Sequence, residues 1–166
     1  MHRNRVHYPG DCGTPTVNLL TVKLLLNSVV STPGAEFMTI DIKDFYLNTP
    51  MPRYEYMRLK LNNPPANFVA QNGLTAKVNA DGYVYVKIRR GMYGLPQAGL
   101  LAQKLLEKRL NAEGYSQSAL TPGFWTHKWR PISFTLCVDD FWCEIRWPRT
   151  RRSPHDGPQK GLHHLM

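Results

Sequence analysis

The spacing of apolar residues changes along this chain, and each change marks an element. Over residues 14–31, Val17, Leu20, Leu24 and their neighbours recur at the three-to-four interval of a helix face. Thr14 is placed to cap that helix and Pro15 suits its first turn, where an amide proton has no intrahelical partner; Ser31-Thr32-Pro33-Gly34 ends it. Residues 36–41 (EFMTID) read as a buried strand ending on a carboxylate, and a tight segment, 42–48, follows until Pro50 and Pro52 break it. Residues 54–61 (YEYMRLKL) have strand chemistry, and 62–73 form a Pro/Asn-rich loop. A hairpin is predicted from 76–78 through Asn79-Ala80-Asp81-Gly82 into the alternating YVYVKIRR of 83–90. The turn 91–96 opens a helix over 97–113, with Leu101, Ala102 and Leu105 on one face and Gly114 as its stop. Residues 131–138 (PISFTLCV) give another strand, again closed by acids, Asp139-Asp140. Beyond Phe141 no helix or strand period is legible.

The 166 residues, 42% hydrophobic and 20% charged, are enough for one domain with a proper core. Helices interleaved with hairpins, and thirteen prolines with twelve glycines, predict an α+β fold. The three cysteines, Cys12, Cys137 and Cys143, lack metal-type spacing and fit a reducing compartment. The basic start lacks the apolar stretch of a signal peptide, and the run 19–30, broken by Lys23, Asn27 and Ser28, is too short to span a bilayer. The expectation is an intracellular protein with no membrane partner. A net charge of +9 favours a polyanionic one.

Three carboxylates sit where chemistry is possible. Asp41 ends one apolar strand, and Asp139 and Asp140 end another. Strand-end acids by themselves more often cap an exposed turn. Brought together they would need compensation, and Mg²⁺, which binds through a few carboxylates plus water and substrate phosphates, is the simplest supply.

The surrounding words change the balance. TIDIKDFYLN at 39–48 resembles the first catalytic motif of copia-class LTR-retrotransposon reverse transcriptases, of the form DVKTAFLNG; YGLPQAG at 93–99 resembles their LYGLKQAP, and CVDDF at 137–141 their YVDD box. Three motifs in family order, over about residues 8–141, make a specific resemblance. It implies a polymerase palm with partial fingers, an antiparallel sheet backed by helices, working as an RNA-directed DNA polymerase on an RNA or DNA template with a primer and deoxynucleotides. Carried over residue by residue, Asp41 and Asp139 would be the principal ligands of two Mg²⁺ ions, with Mn²⁺ as a substitute, and Asp140 the second acid of the box. Asp44 and Phe45 would lie beside the incoming nucleotide, Tyr46 would be the gate that rejects a 2′-hydroxyl, and Gln97 would line the pocket. That gate also disfavours an RNA-dependent RNA polymerase. Cys137 departs from the family's usual Tyr, and Asp44 from its usual small residue.

The resemblance also implies missing parts: the chain starts after the upstream fingers segment and stops before a thumb. It divides the chain into a palm with partial fingers, 1–141, and a basic tail, 142–166. Read one nucleotide later, the codons of Trp142-Cys143 and of Trp147-Pro148 must each give glycine, and permitted codons elsewhere yield an alternating strand, a turn and an amphipathic helix. The tail therefore reads as an out-of-frame version of the palm's next elements, disordered as written, which leaves the hairpin of Asp139-Asp140 without its second strand and impairs polymerase activity. The alternative is an inactive retroelement remnant that only binds nucleic acid. Tyr83 and Tyr85, alternating with Val84 and Val86, read as one face of a hairpin rather than stacking platforms, and Arg89-Arg90 as an exposed strand end as readily as a phosphate contact. His127, His155, His163 and His164 show no zinc spacing.

Overall fold

A computed structural model describes residues 12–146. The chain is α+β, with two antiparallel sheets and few helices. Helix α1 (Leu19–Ser31) leads into β1 (Ala35–Asp41); β2 (Pro50–Lys60), a short helix α2 (Ala66–Gln71), a 3-10 turn at Leu74–Lys77 and β3 (Tyr83–Arg90) follow; then α3 (Ala98–Ala112), β4 (Tyr115–Gln117), β5 (Phe124–His127), β6 (Ile132–Cys137) and β7 (Asp140–Arg146). The larger sheet runs β1-β7-β6-β5-β4, so the first strand pairs with the last; β2 and β3 form a two-stranded sheet of their own.

The core lies on one face of the large sheet. Ile132, Phe134 and Leu136 of β6 and Phe141, Cys143 and Ile145 of β7 meet Ala102, Leu106 and Leu110 of α3, with Trp125 stacked on Phe134. Helix α3 buries its every-fourth-residue row, 98, 102, 106 and 110, with Leu101 and Leu105 half-buried at the edge of that row. Gly114, at φ +87°, ends it, as its place after the last helical turn predicts. Helix α1 lies against the opposite face, where Ser28 donates to Glu144.

Four sequence expectations need correction. The first helix starts at Leu19 rather than near Thr14, because Asn18, not Thr14, caps it: its Oδ1 accepts the Leu20 amide at 2.8 Å. Its buried residues are Val22 and Leu25, while Leu20 and Leu24 stand exposed; the helix is apolar nearly all round, so its period does not select a face. Strand β3 pairs with β2 and not with 76–78, which lie in the 3-10 turn and the residue after it. Both strands alternate with period two, and register alone decides between partners. Strand structure does not stop at Phe141. Trp142 to Arg146 complete β7, bonded to β1 on one side and β6 on the other. Phe141, Cys143 and Ile145 supply the inward alternation there, and the polar pair Glu144 and Arg146, which disguises it, is held on the other face with Ser28. The rest of the expected tail, 147–166, lies outside the described residues. Strands β4 and β5 have no counterpart in the sequence reading; three and four residues are too short to show a period.

A candidate active site at the β1–β7 corner

Strand pairing fixes the position of the acids. Asp41 stands directly opposite Asp140, which also pairs with Cys137, and the Ile42 amide donates to the Asp139 carbonyl at 3.1 Å. Opposed residues on antiparallel strands have Cβ atoms about 4.5–5.5 Å apart, and like charges there repel. The β6–β7 turn consists of Val138 and Asp139, with Val138 at φ +61°. A β-branched residue in that region is strained, about 1–3 kcal/mol, and persists only where the strands on either side hold it. Asp139 is half-buried at the tip. Burial, then the charges of Asp140 and Asp41, hold its carboxyl above the ordinary range, against the opposing effect of a backbone hydrogen bond.

The segment after Asp41 turns back on itself. Asp44 adopts φ +56°, the Asn48 amide donates to the Asp44 carbonyl, and Thr49 Oγ1 donates to the Phe45 carbonyl. Tyr46 packs edge-on to Tyr93 with ring centroids 4.7 Å apart, and its hydroxyl pKa is raised by burial, by Asp139 and by Tyr93. Gly91 lies beneath: a Cβ there would come within 2.7 Å of the Tyr46 carbonyl oxygen. The ring also approaches Gly99 in the first turn of α3, so the 39–48 and 93–99 motifs meet in space.

The predicted site residues divide into two groups. Asp41, Asp139, Asp140 and Tyr46 lie at one corner; Asp139 and Tyr46 are half-buried there, while Asp41, Asp140 and the neighbouring Asp44 are exposed. Phe45, expected beside the incoming nucleotide, and Gln97, expected to line its pocket, are buried. Phe45 belongs to the core cluster; Gln97 donates through Nε2 to Glu55 at 3.1 Å, and its Oε1 has no protein partner among the described residues. Two cations escaped the sequence reading. Lys43 and Arg109 line a cleft of about 540 Å³ between α3 and the 41–49 segment, together with Asp41, Asp44 and Phe45. Lys43 sits inside a quoted motif. Arg109 carries no spacing signal, because only the packing of α3 brings it there.

No family model, curated protein or solved structure matches this chain. The chemical possibilities therefore rest on the geometry. Among the described residues no three acidic, histidine or cysteine side chains are grouped so as to hold a metal ion by themselves, and no ion pair neutralises Asp41, Asp139 or Asp140. A pair of carboxylates completed by water and substrate phosphates is the donor set that Mg²⁺ accepts, so the corner fits that ion chemically. No helix among the described residues is long and apolar enough to cross a membrane.

Proposed function

We propose that this chain forms the palm and part of the fingers of a reverse transcriptase resembling those of copia-class retrotransposons, extending a primer on an RNA or DNA template with deoxynucleotides. One observation carries the reading. Register sets the exposed Asp41 opposite the exposed Asp140, with Asp139 at the adjoining turn, and among the described residues no ion pair neutralises them, so like charges face one another where a cation would relieve the repulsion. Asp41 and Asp139 would hold the metals, and Asp140 would add its charge. Two bound Mg²⁺ supply activation of the primer 3′-hydroxyl and stabilisation of the leaving pyrophosphate. The protein's own part is placement. Tyr46, held between Tyr93 and α3, sets the wall that a ribose hydroxyl would strike, and Lys43 and Arg109 offer positive charge to phosphates entering the cleft.

With β7 paired on both sides, the hairpin of Asp139-Asp140 has its second strand, and impaired activity no longer follows from a missing one. The second reading, an inactive remnant that binds nucleic acid, is favoured by the burial of Gln97, which is bonded to Glu55 and does not line the cleft. Primer extension with Mg²⁺ by the purified chain and by Asp139→Asn separates them. Loss of a metal ligand removes several kcal/mol of charge stabilisation, so extension should fall at least about a hundredfold. No extension by the wild type leaves only the second reading, and extension that the substitution does not change removes the metal assignment.

A further inference from the structure

The outer face of the β2–β3 sheet has a composition that the acid corner does not use. Tyr54, Tyr56, Arg58 and Lys60 alternate along β2, and Tyr83, Tyr85, Lys87 and Arg89 along β3. The register sets Tyr56 opposite Lys87, Arg58 opposite Tyr85 and Lys60 opposite Tyr83, so each of these rows pairs a ring with a cation. Two diagonals are closed by direct approach: the Arg58 guanidinium lies 4.3 Å from the centre of the Tyr83 ring, and Lys87 Nζ 3.8 Å from that of Tyr54. Between them Tyr56 and Tyr85 remain open, 66% and 65% exposed. The acid on these strands, Glu55, points to the other face with Met57 and Leu59, leaving four tyrosines and four cations on the outer one.

We propose that this face binds single-stranded nucleic acid, with bases stacked on Tyr56 and Tyr85 and phosphates held by Arg58, Lys87 and their neighbours. Charge fixes the sign of the partner, since a face of cations without carboxylates selects a polyanion. The open rings then select among polyanions. A base presents a flat face to stack on, in any sequence, whereas a duplex hides those faces and an acidic peptide has none in its charged groups. The scale also fits. Same-face neighbours along a strand are separated by about 6.8 Å, so the four rows extend over roughly 20 Å, the length of a few extended nucleotides. Binding here does not require the acid corner; where the polymerase reading holds, it is the place for unpaired template.

The test is fluorescence anisotropy of a short fluorescein-labelled oligo(dT) with the full chain in EDTA, where metal-dependent chemistry is silent. Tyr56→Ala/Tyr85→Ala should weaken binding about tenfold or more while leaving the thermal melt unchanged, because both rings are exposed. Arg58→Gln/Lys87→Gln should reduce the salt slope by roughly 0.7 for each phosphate that is no longer neutralised. A duplex of equal length should bind more weakly. Wild-type affinity in the tyrosine variant, duplex binding as tight as single-strand binding, or displacement by polyglutamate at equal charge would each overturn the proposal. Asp139→Asn should retain full oligo(dT) affinity. Tyrosine-dependent binding in a protein that never extends a primer would refute the polymerase reading alone.

Discussion

Replacing Arg146 with alanine should unlatch the last strand of the sheet. Glu144 is 1% exposed, and it accepts three hydrogen bonds: Arg146 Nε at 2.8 Å and Ser28 Oγ at 2.9 Å on Oε1, and Arg146 Nη2 at 2.9 Å on Oε2. Arg146 Nη2 also donates to Ser28 Oγ at 2.7 Å, tying α1 into the same group. The variant leaves a buried carboxylate with a single donor. Breaking a fully buried pair costs about 3–5 kcal/mol, and losing hydrogen bonds to a charged group about 1.5–3 kcal/mol. The Arg146 side chain is 54% exposed, so water reaches part of the group and the lower range applies. The expectation is a loss of about 2 kcal/mol by urea denaturation, or roughly 4–8 °C in melting temperature. Arg146→Lys should recover only part of it, because a lysine cannot form the two-pronged contact. Ser28→Ala combined with Arg146→Ala should show a coupling of at least about 0.5 kcal/mol. An Arg146→Ala protein within about 0.5 kcal/mol of wild type would refute the reasoning, since strand structure would then end near Phe141.

His127 is buried and neutral: its Nδ1 accepts the amides of Trp129 and Arg130, and its Nε2 donates to the Glu113 carbonyl. Burial lowers its pKa below the ordinary 6.5, so the unfolded chain takes up the proton first; stability should hold above about pH 6.5 and fall below it, and a His127→Gln variant should lose that part of the slope in urea midpoints. Gly91→Ala sets a methyl against the Tyr46 carbonyl oxygen, and should cost about 1–3 kcal/mol in thermal melts while displacing Tyr46, with weaker rejection of ribonucleotides in any extension assay. Cys143 is fully buried and its thiol is pushed up to about 12, so a thiol reagent near pH 8 should label it only when urea unfolds the sheet; labelling at the native rate of an exposed cysteine would place β7 outside the core.

How far the sequence is legible depends on whether an element carries its own signal. Helix α3 does: an apolar row, a turn before it and Gly114 after it lead to nearly the observed bounds. So does β6, whose run of Ile132, Phe134 and Leu136 is buried as a sheet interior requires. Strand β7 does not, because its tryptophan, glutamate and arginine resemble a solvated tail until Ser28, from another element, supplies the partner that makes Glu144 tolerable inside. The site shows the same split. The acids are visible as strand endings, and their meeting is a matter of register; the burial of Phe45 and Gln97 depends on α3 and Glu55, which no local pattern brings together.

The order of strands also sets a timetable. β1 emerges early in synthesis, but its partner in the sheet is the last strand described, and a ribosome adding about 5–20 residues per second needs roughly 5–20 s to travel between them. During that interval the edge carrying Phe37, Met38 and Ile40 has no neighbour of its own, a waiting template for any other extended chain. The two mutually repelling aspartates are the first link of that ladder to become available, since Asp140 opens β7, and the ladder is complete only once Arg146 reaches Ala35.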